Sequence, residues 1–294
     1  MKRLVKLFVS LLLLILILWK FPVSEIIANL QNVQVAWLLV CFLLGELVIV
    51  NQAFRWYYLL IVPKEQKPKF GALLKYTLAG YFFNLFAPGG LGGDAYRSIA
   101  LGKAHNVIAG SVASVFVARI LGLVALCLLF WLALPYSEQV PEQAIWFMAV
   151  ATFLLLIFCL CIVFNPFNMG KFKAFAEKLR EYKKYPLRLL AAMLGSLFMQ
   201  ILVILMQVAV FKSVGISIPL AFVFAVVPVT ILITTIPISF NGIGIREWSL
   251  LSLTAYAINS EQLLASLLLG YAVIILQAGQ GAIFYIIPYD RVHI

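Results

Sequence analysis

APGGLGGDAYR, from Ala87 to Arg97, and PISFNGIGIRE, from Pro237 to Glu247, fix where this chain must bend. Each interrupts an apolar segment with proline and glycine and then places charged residues ahead of a second arm. Pro88 and Pro237 break the arms that precede them, because proline lacks the N–H that a helix interior needs. Gly90, Gly92, Gly93, Gly242 and Gly244 leave the turns free of side-chain bulk. Irregular backbone of this kind is tolerated at membrane depth only where it is buried in protein or lines a wet cavity.

The surroundings are a membrane protein's. Of the 294 residues, 64% are hydrophobic and 11% charged, so no soluble core can hide the apolar surface. Apolar segments run near 4–19, 36–62, 107–134, 144–165, 187–211 and 262–287. A helix needs about 20 residues to cross the hydrocarbon core. These six are read as full spans, the first borrowing flanking residues. The arms 72–87, 219–236 and 246–258 adjoin the broken turns and are read as two re-entrant segments. The arm 246–258 would be only about 20 Å of helix, short for a crossing. The count becomes eight if the second broken segment spans instead. The expected fold is therefore an all-α polytopic membrane protein.

Charge sets the orientation. The net charge of +11 is distributed as positive-inside bias requires. Lys2, Arg3 and Lys6 precede the first span, which resembles a signal peptide but has no small-residue cleavage site after LLLLILILW (Leu11 to Trp19). Lys64, Lys67, Lys69 and Lys75 follow the second span, and a cluster from Lys171 to Arg188 follows the fourth. PYSEQVPEQ at 135–143 has no basic residue. Strict alternation puts both termini in the cytoplasm, in a cytoplasmic (inner) membrane. Within KFKAFAEKLREYKKYP, 171–186, Phe172, Phe175, Leu179 and Tyr182 recur at helical spacing, which predicts an amphipathic basic helix at the cytoplasmic surface.

The order span, span, broken segment, span occurs twice, over 4–134 and 144–287, within a single membrane domain 1–294. Three spans precede the second copy, so the copies would be oppositely oriented, the inverted-repeat plan of many transporters.

Chemistry is expected at the charges. Asp94 and Arg97 follow the first turn; Arg246 and Glu247 follow the second. Each charge near the bilayer centre costs about 2.5–3.5 kcal/mol on the insertion scale, so four would cost roughly 10–14 before pairing. Arg55 and Arg119, on the second span and the span after the first turn, need anions for the same reason. The helix arms beyond the turns present free N–H groups that suit phosphate or carboxylate. Asn51, Ser111, Ser114, Ser196, Gln200, Gln207, Gln277 and Gln280 are expected to bond helix to helix.

Other chemistry lacks its parts. Cys41, Cys127, Cys159 and Cys161 lie inside apolar stretches and the two histidines, His105 and His293, are remote from them, so no metal site is expected. No catalytic triad or nucleotide fingerprint occurs, no cofactor is implied, and no basic soluble domain suggests nucleic acid. The expected partners are membrane lipids, with a separate lipid-synthesising enzyme or a second copy of the chain also possible.

NLFAPGGLGGDAYR (Asn84 to Arg97) and PISFNGIGIREW (Pro237 to Trp248) resemble the paired motifs of the lysylphosphatidylglycerol synthase transmembrane, or flippase-like, family. The resemblance covers nearly the whole chain. It is similar to the membrane half of multiple-peptide-resistance proteins, which move aminoacylated phosphatidylglycerol between leaflets. The soluble domain that adds the amino acid there has no counterpart before Ile294, so the resemblance implies translocation rather than synthesis. The matching motif positions are Pro88, Gly90, Gly92, Gly93, Asp94, Arg97, Gly242, Gly244, Arg246 and Glu247. The expectation is flippase-like movement of an anionic phospholipid or a polyprenyl-phosphate carrier. A membrane-embedded lipid-modifying enzyme or its scaffold, and an ion-coupled small-anion carrier, are the alternatives.

Overall fold

A computed structural model describes residues 23–31, 33–87, 89–137, 139–164, 173–236, 239 and 242–286. The first apolar segment, 4–19, and the two turn prolines, Pro88 and Pro237, lie outside the described residues. Helices make up the fold, and no strand occurs among those residues: α1 Val23–Gln31, α2 Val35–Leu59, α3 Phe70–Asn84, α4 Leu91–Ala104, α5 Ile108–Ala133, α6 Glu142–Phe164, α7 Lys173–Glu181, α8 Pro186–Ser213, α9 Leu220–Thr235, α10 Ile245–Thr254 and α11 Ser260–Ile286.

Five of these, α2, α5, α6, α8 and α11, are long and apolar enough to cross a membrane. They coincide with five of the six spans expected from sequence. The protein is an all-α, multi-pass membrane protein. α6 is the most lipid-like in its exposure: Phe153, Leu154, Leu156 and Leu160 all point away from the protein. Lipid tails are as apolar as these side chains, so their exposure costs nothing there.

The two broken segments are helical hairpins. α3 has 15 residues and α4 has 14, about 22 and 21 Å of helix, so neither arm reaches across about 30 Å of hydrocarbon. Their contacts run antiparallel. Leu73 shares a buried cluster with Leu101, the Tyr76 and Tyr96 rings lie 6.5 Å apart, and Gly80 abuts Gly93. Glycine is required at this crossing. A Cβ on Gly93 would stand 2.5 Å from the Gly80 carbonyl oxygen, and one on Gly92 would stand 2.2 Å from that of Phe83. The second hairpin joins α9 to α10, whose 16 and 10 residues give about 24 and 15 Å. The second arm ends at Thr254 rather than 258, which makes it shorter still than the sequence suggested.

α2 and α8 pack along much of their length in antiparallel directions. Near one end the Gln34 N–H donates to the Ser213 carbonyl at 2.9 Å and Lys212 sits over the Trp37 ring at 4.6 Å. Further along, Asn51 Nδ2 donates to the Gly195 carbonyl at 2.8 Å. Around this pair the packing is reciprocal. α5, which follows the first hairpin, packs on α9 of the second; α11, which follows the second, packs on α3 of the first.

The described part of the amphipathic segment forms α7 and a short 3-10 turn, Tyr182–Lys184. Its apolar face is not turned to lipid. Ala176, Leu179 and Tyr182 are buried, Phe175 meets Phe116 of α5, and the Tyr182 hydroxyl donates to the Leu59 carbonyl at the end of α2. Arg180, Lys183 and Lys184 stay exposed. The segment is thereby pinned to the helix bundle, with its basic residues outward.

Candidate functional site

The first hairpin delivers its charges into the bundle because its turn is tied shut. Gly89 and Gly90 adopt φ of 63° and 65°, a left-handed backbone that glycine takes without steric cost. The Gly93 N–H, one of the free donors at the start of α4, is taken by Asn84 Oδ1 at 2.7 Å, which latches α4 to the end of α3. Asp94 then sits in the first turn of α4, where the helix dipole favours a carboxylate.

Both oxygens of Asp94 are used. Arg97 donates to one at 2.8 Å and Arg119 of α5 to the other at 2.9 Å. A second Arg119 N–H donates to the Gly89 carbonyl at 2.9 Å, fixing the turn to α5. The Arg97 guanidinium lies 5.2 Å from the Trp56 ring centre, over its face. With its amide oxygen inward, Gln52 accepts from both Arg97 terminal nitrogens at 3.2 and 3.3 Å. Arg55 comes from α2 and donates to the Ser196 hydroxyl of α8 at 2.9 Å.

Arg55, Arg97, Arg119 and Asp94 line one cavity of about 150 Å3, closed by Gln200 of α8 and by Thr235 at the end of α9. Arg55 and Arg97 are 5% and 3% exposed, and the Nε of each has no partner among the described residues. Arg119 and Asp94 are 28% and 21% exposed, so one side of the cavity is open. Arg119 thus finds the anion it needed. Arg55 makes no ion pair among the described residues.

The second hairpin uses its charges differently. Glu247 does not pair with its neighbour Arg246. It turns back and accepts the Gly244 N–H at 2.6 Å, capping its own helix. Gly244 and Gly242 hold φ of 85° and 78°, as such a turn requires. Arg246 donates to Gln207 of α8 at 2.8 Å and lies 5.7 Å from the Tyr271 ring centre. It lines a second, largely apolar cavity of about 270 Å3, together with Tyr81, Gln207, Thr234 and Gln277. Arg97 and Arg246 line separate cavities, with Ile231 of α9 in the wall of each.

The amino-acid sequence matches a known family, Lysylphosphatidylglycerol synthase TM region, over residues 3–277. The chain belongs to this family. A comparison with curated proteins gave no match. The family is named for a transmembrane region, in agreement with the five long apolar helices.

Two residues around Arg97 had no sequence signal of their own. Trp56 and Gln52 stand in ordinary helical runs, and only tertiary contact reveals them. Ser114 and Gln200 bond helix to helix as expected, whereas the Nε2 of Gln277 has no partner among the described residues. Trp56 donates to Ser114 at 2.9 Å and Gln200 to the Gly122 carbonyl at 3.2 Å. Cys41 and Cys127 are packed thiols, while Cys161 is exposed on the lipid-like side of α6.

Proposed function

We propose that the protein helps the phosphate-bearing head group of an anionic lipid cross the membrane. The observation that carries this is a cavity lined by three arginines and a single carboxylate, inside a bundle of membrane-spanning length. A buried guanidinium without an anion is costly, and neutral partners such as Ser196 offset only part of that cost. An anionic ligand supplies the missing charge, and a lipid brings its phosphate to that depth while its tails stay in hydrocarbon.

The antiparallel α2 and α8 and the reciprocal packing of the hairpins support an inverted repeat over 4–134 and 144–287. In this reading the hairpins enter from opposite faces, and rocking of one repeat against the other exposes the arginine cavity to each leaflet in turn. The termini are cytoplasmic, as the basic loops suggest, and the membrane is taken to be the inner one. The chain acts without making or breaking a covalent bond in its cargo, and a separate enzyme supplies the lipid.

The test is reconstitution into liposomes with fluorescent head-labelled lipids, scored by access of an external quencher over time. Anionic lipids exchange faster with protein than without it, and the Arg55→Gln/Arg97→Gln double variant loses the gain. Equal rates with and without protein, across phospholipid and polyprenyl-phosphate cargos and with an ion gradient supplied, would end this reading.

A further inference from the structure

The charge balance of the arginine cavity specifies more than an anion. Arg55, Arg97 and Arg119 contribute three positive charges and Asp94 one negative charge, leaving two positive charges unmatched among the lining residues. The nearest carboxylate on α2, Glu46, lies nine residues from Arg55, about 13 Å along the helix, and does not line the cavity. Glu247 is committed to the Gly244 N–H.

We infer that the cavity selects a phosphomonoester, the doubly charged end group of a lipid phosphate, over a singly charged phosphodiester; this rests on the lipid-translocation reading above. A phosphomonoester carries about −1.5 to −2 charge at pH 7 and three strong acceptor oxygens. A phosphodiester carries one charge and two free oxygens, with a bulky substituent on each side. The cavity offers three guanidinium groups, so a monoester gives each an oxygen and brings the local charge near zero. A diester leaves one buried arginine uncompensated.

The donors are in place for this. Arg55 and Arg97 are both more than nine-tenths buried, and the Nε–H of each lacks an acceptor among the described residues. Arg97 is held rigid by Asp94, Gln52 and the Trp56 ring. Arg119 is held by Asp94 and the Gly89 carbonyl. A planar fork already fixed in position loses little freedom when it binds, which favours tight recognition of phosphate. Arg55, which among the described residues is tied only to a neutral hydroxyl, is the cation whose charge the second negative charge of the ligand answers.

The full chain in detergent would be titrated with three probes at pH 8. One is dioleoyl phosphatidic acid, a monoester; one is dioleoyl phosphatidylmethanol, a diester with the same tails; one is inorganic phosphate. Binding would be read by ligand-induced shift of thermal unfolding and by competition with radiolabelled monoester lipid. The monoester lipid should bind about ten-fold or more tightly than the diester, the value of roughly one charge-assisted bond. Inorganic phosphate should displace it only at far higher concentration. Arg55→Gln should weaken the monoester toward the diester's affinity while changing the diester's less than about three-fold. Should that variant fail to fold, Arg119→Gln, at a partly exposed position, removes the same unit of charge. Equal affinity for the two lipids in the unmodified protein would overturn the monoester inference and leave lipid translocation standing. Displacement of the lipid by equimolar inorganic phosphate would make a free dianion the ligand and overturn the lipid reading instead. Absence of binding by all three probes would overturn both.

Discussion

The two hairpins share a plan and differ in what they do with their one acidic residue. In the first, Asp94 reaches sideways and holds Arg97 and Arg119, which come from its own helix and from α5. In the second, Glu247 reaches backward and holds the backbone N–H of Gly244. The first carboxylate is therefore part of a charge cluster and the second is part of a helix end. Arg246 is left with a neutral amide and an aromatic face in a larger and more apolar cavity. Sequence symmetry between two turns does not carry over into chemical symmetry, because a carboxylate's partner depends on which neighbours the packing presents.

This contrast breaks most easily at the two carboxylates. Asp94→Asn leaves three arginines around one cavity without an anion. Breaking a fully buried pair costs about 3–5 kcal/mol, and this part-buried one should cost less. The substitution should lower thermal stability in detergent sharply and abolish transport. Glu247→Gln keeps an acceptor for the Gly244 N–H and should cost about 1 kcal/mol, the usual value of a helix cap. Similar losses in the two variants would show that the hairpins use their acids alike. Adding Arg119→Gln to Asp94→Asn should recover part of the loss, with a coupling of about 0.5–3 kcal/mol in a double-mutant cycle.

The glycines give the next step down. Gly93→Ala drives a methyl into the Gly80 carbonyl, where the neighbour is backbone and cannot swing away. The expected cost is about 1–3 kcal/mol, with opening of the α3–α4 crossing. Cysteine cross-linking between positions 76 and 96 would detect that opening as slower disulfide formation. Gly90→Ala meets no atom within 4 Å, and its strain comes only from φ of 65°. It should cost about 1–2 kcal/mol without slowing the cross-link. If both variants slow it equally, the close approach of the two arms is not what glycine serves there.

The smallest effect should be at Arg246. Arg246→Gln loses one hydrogen bond but also relieves a half-buried charge, so stability should change by less than about 1 kcal/mol. Its effect on lipid exchange in liposomes should be weaker than that of Arg55→Gln. A larger loss from Arg246→Gln would move the anion-binding role to the second cavity.

The sequence reading and the structure agree where the signal is local. The long helices begin and end within a few residues of the apolar runs, and both glycine turns fall at the hairpin bends. The separation of three between Asp94 and Arg97 already placed them on one helix face, and they pair. Four features were not legible. Arg119 finds Asp94 across 25 positions, and Arg55 finds Ser196 across 141. Glu247 beside Arg246 invited an ion pair that helix geometry denies, since adjacent residues point to different faces. The apolar stripe of α7 looked like a lipid-facing surface, yet α5 and the end of α2 cover it. A stripe records only that something apolar must cover it.

By itself, the sequence determined that this chain lives in a membrane, which segments are long enough to cross it, and where the helices must break. Those properties depend on hydrophobicity and backbone freedom read over a window of one helix, and the bilayer acts on each helix separately. The tertiary structure alone decided which charges meet. Helix crossing and rotation set that, through close glycine contacts such as Gly80 on Gly93 and through the antiparallel run of α2 along α8. The same three arginines, turned by a fraction of a helical turn, would face separate partners. In this packing they line one cavity with a single carboxylate, because side-chain direction around a helix axis is a property of the packed bundle and not of any one segment.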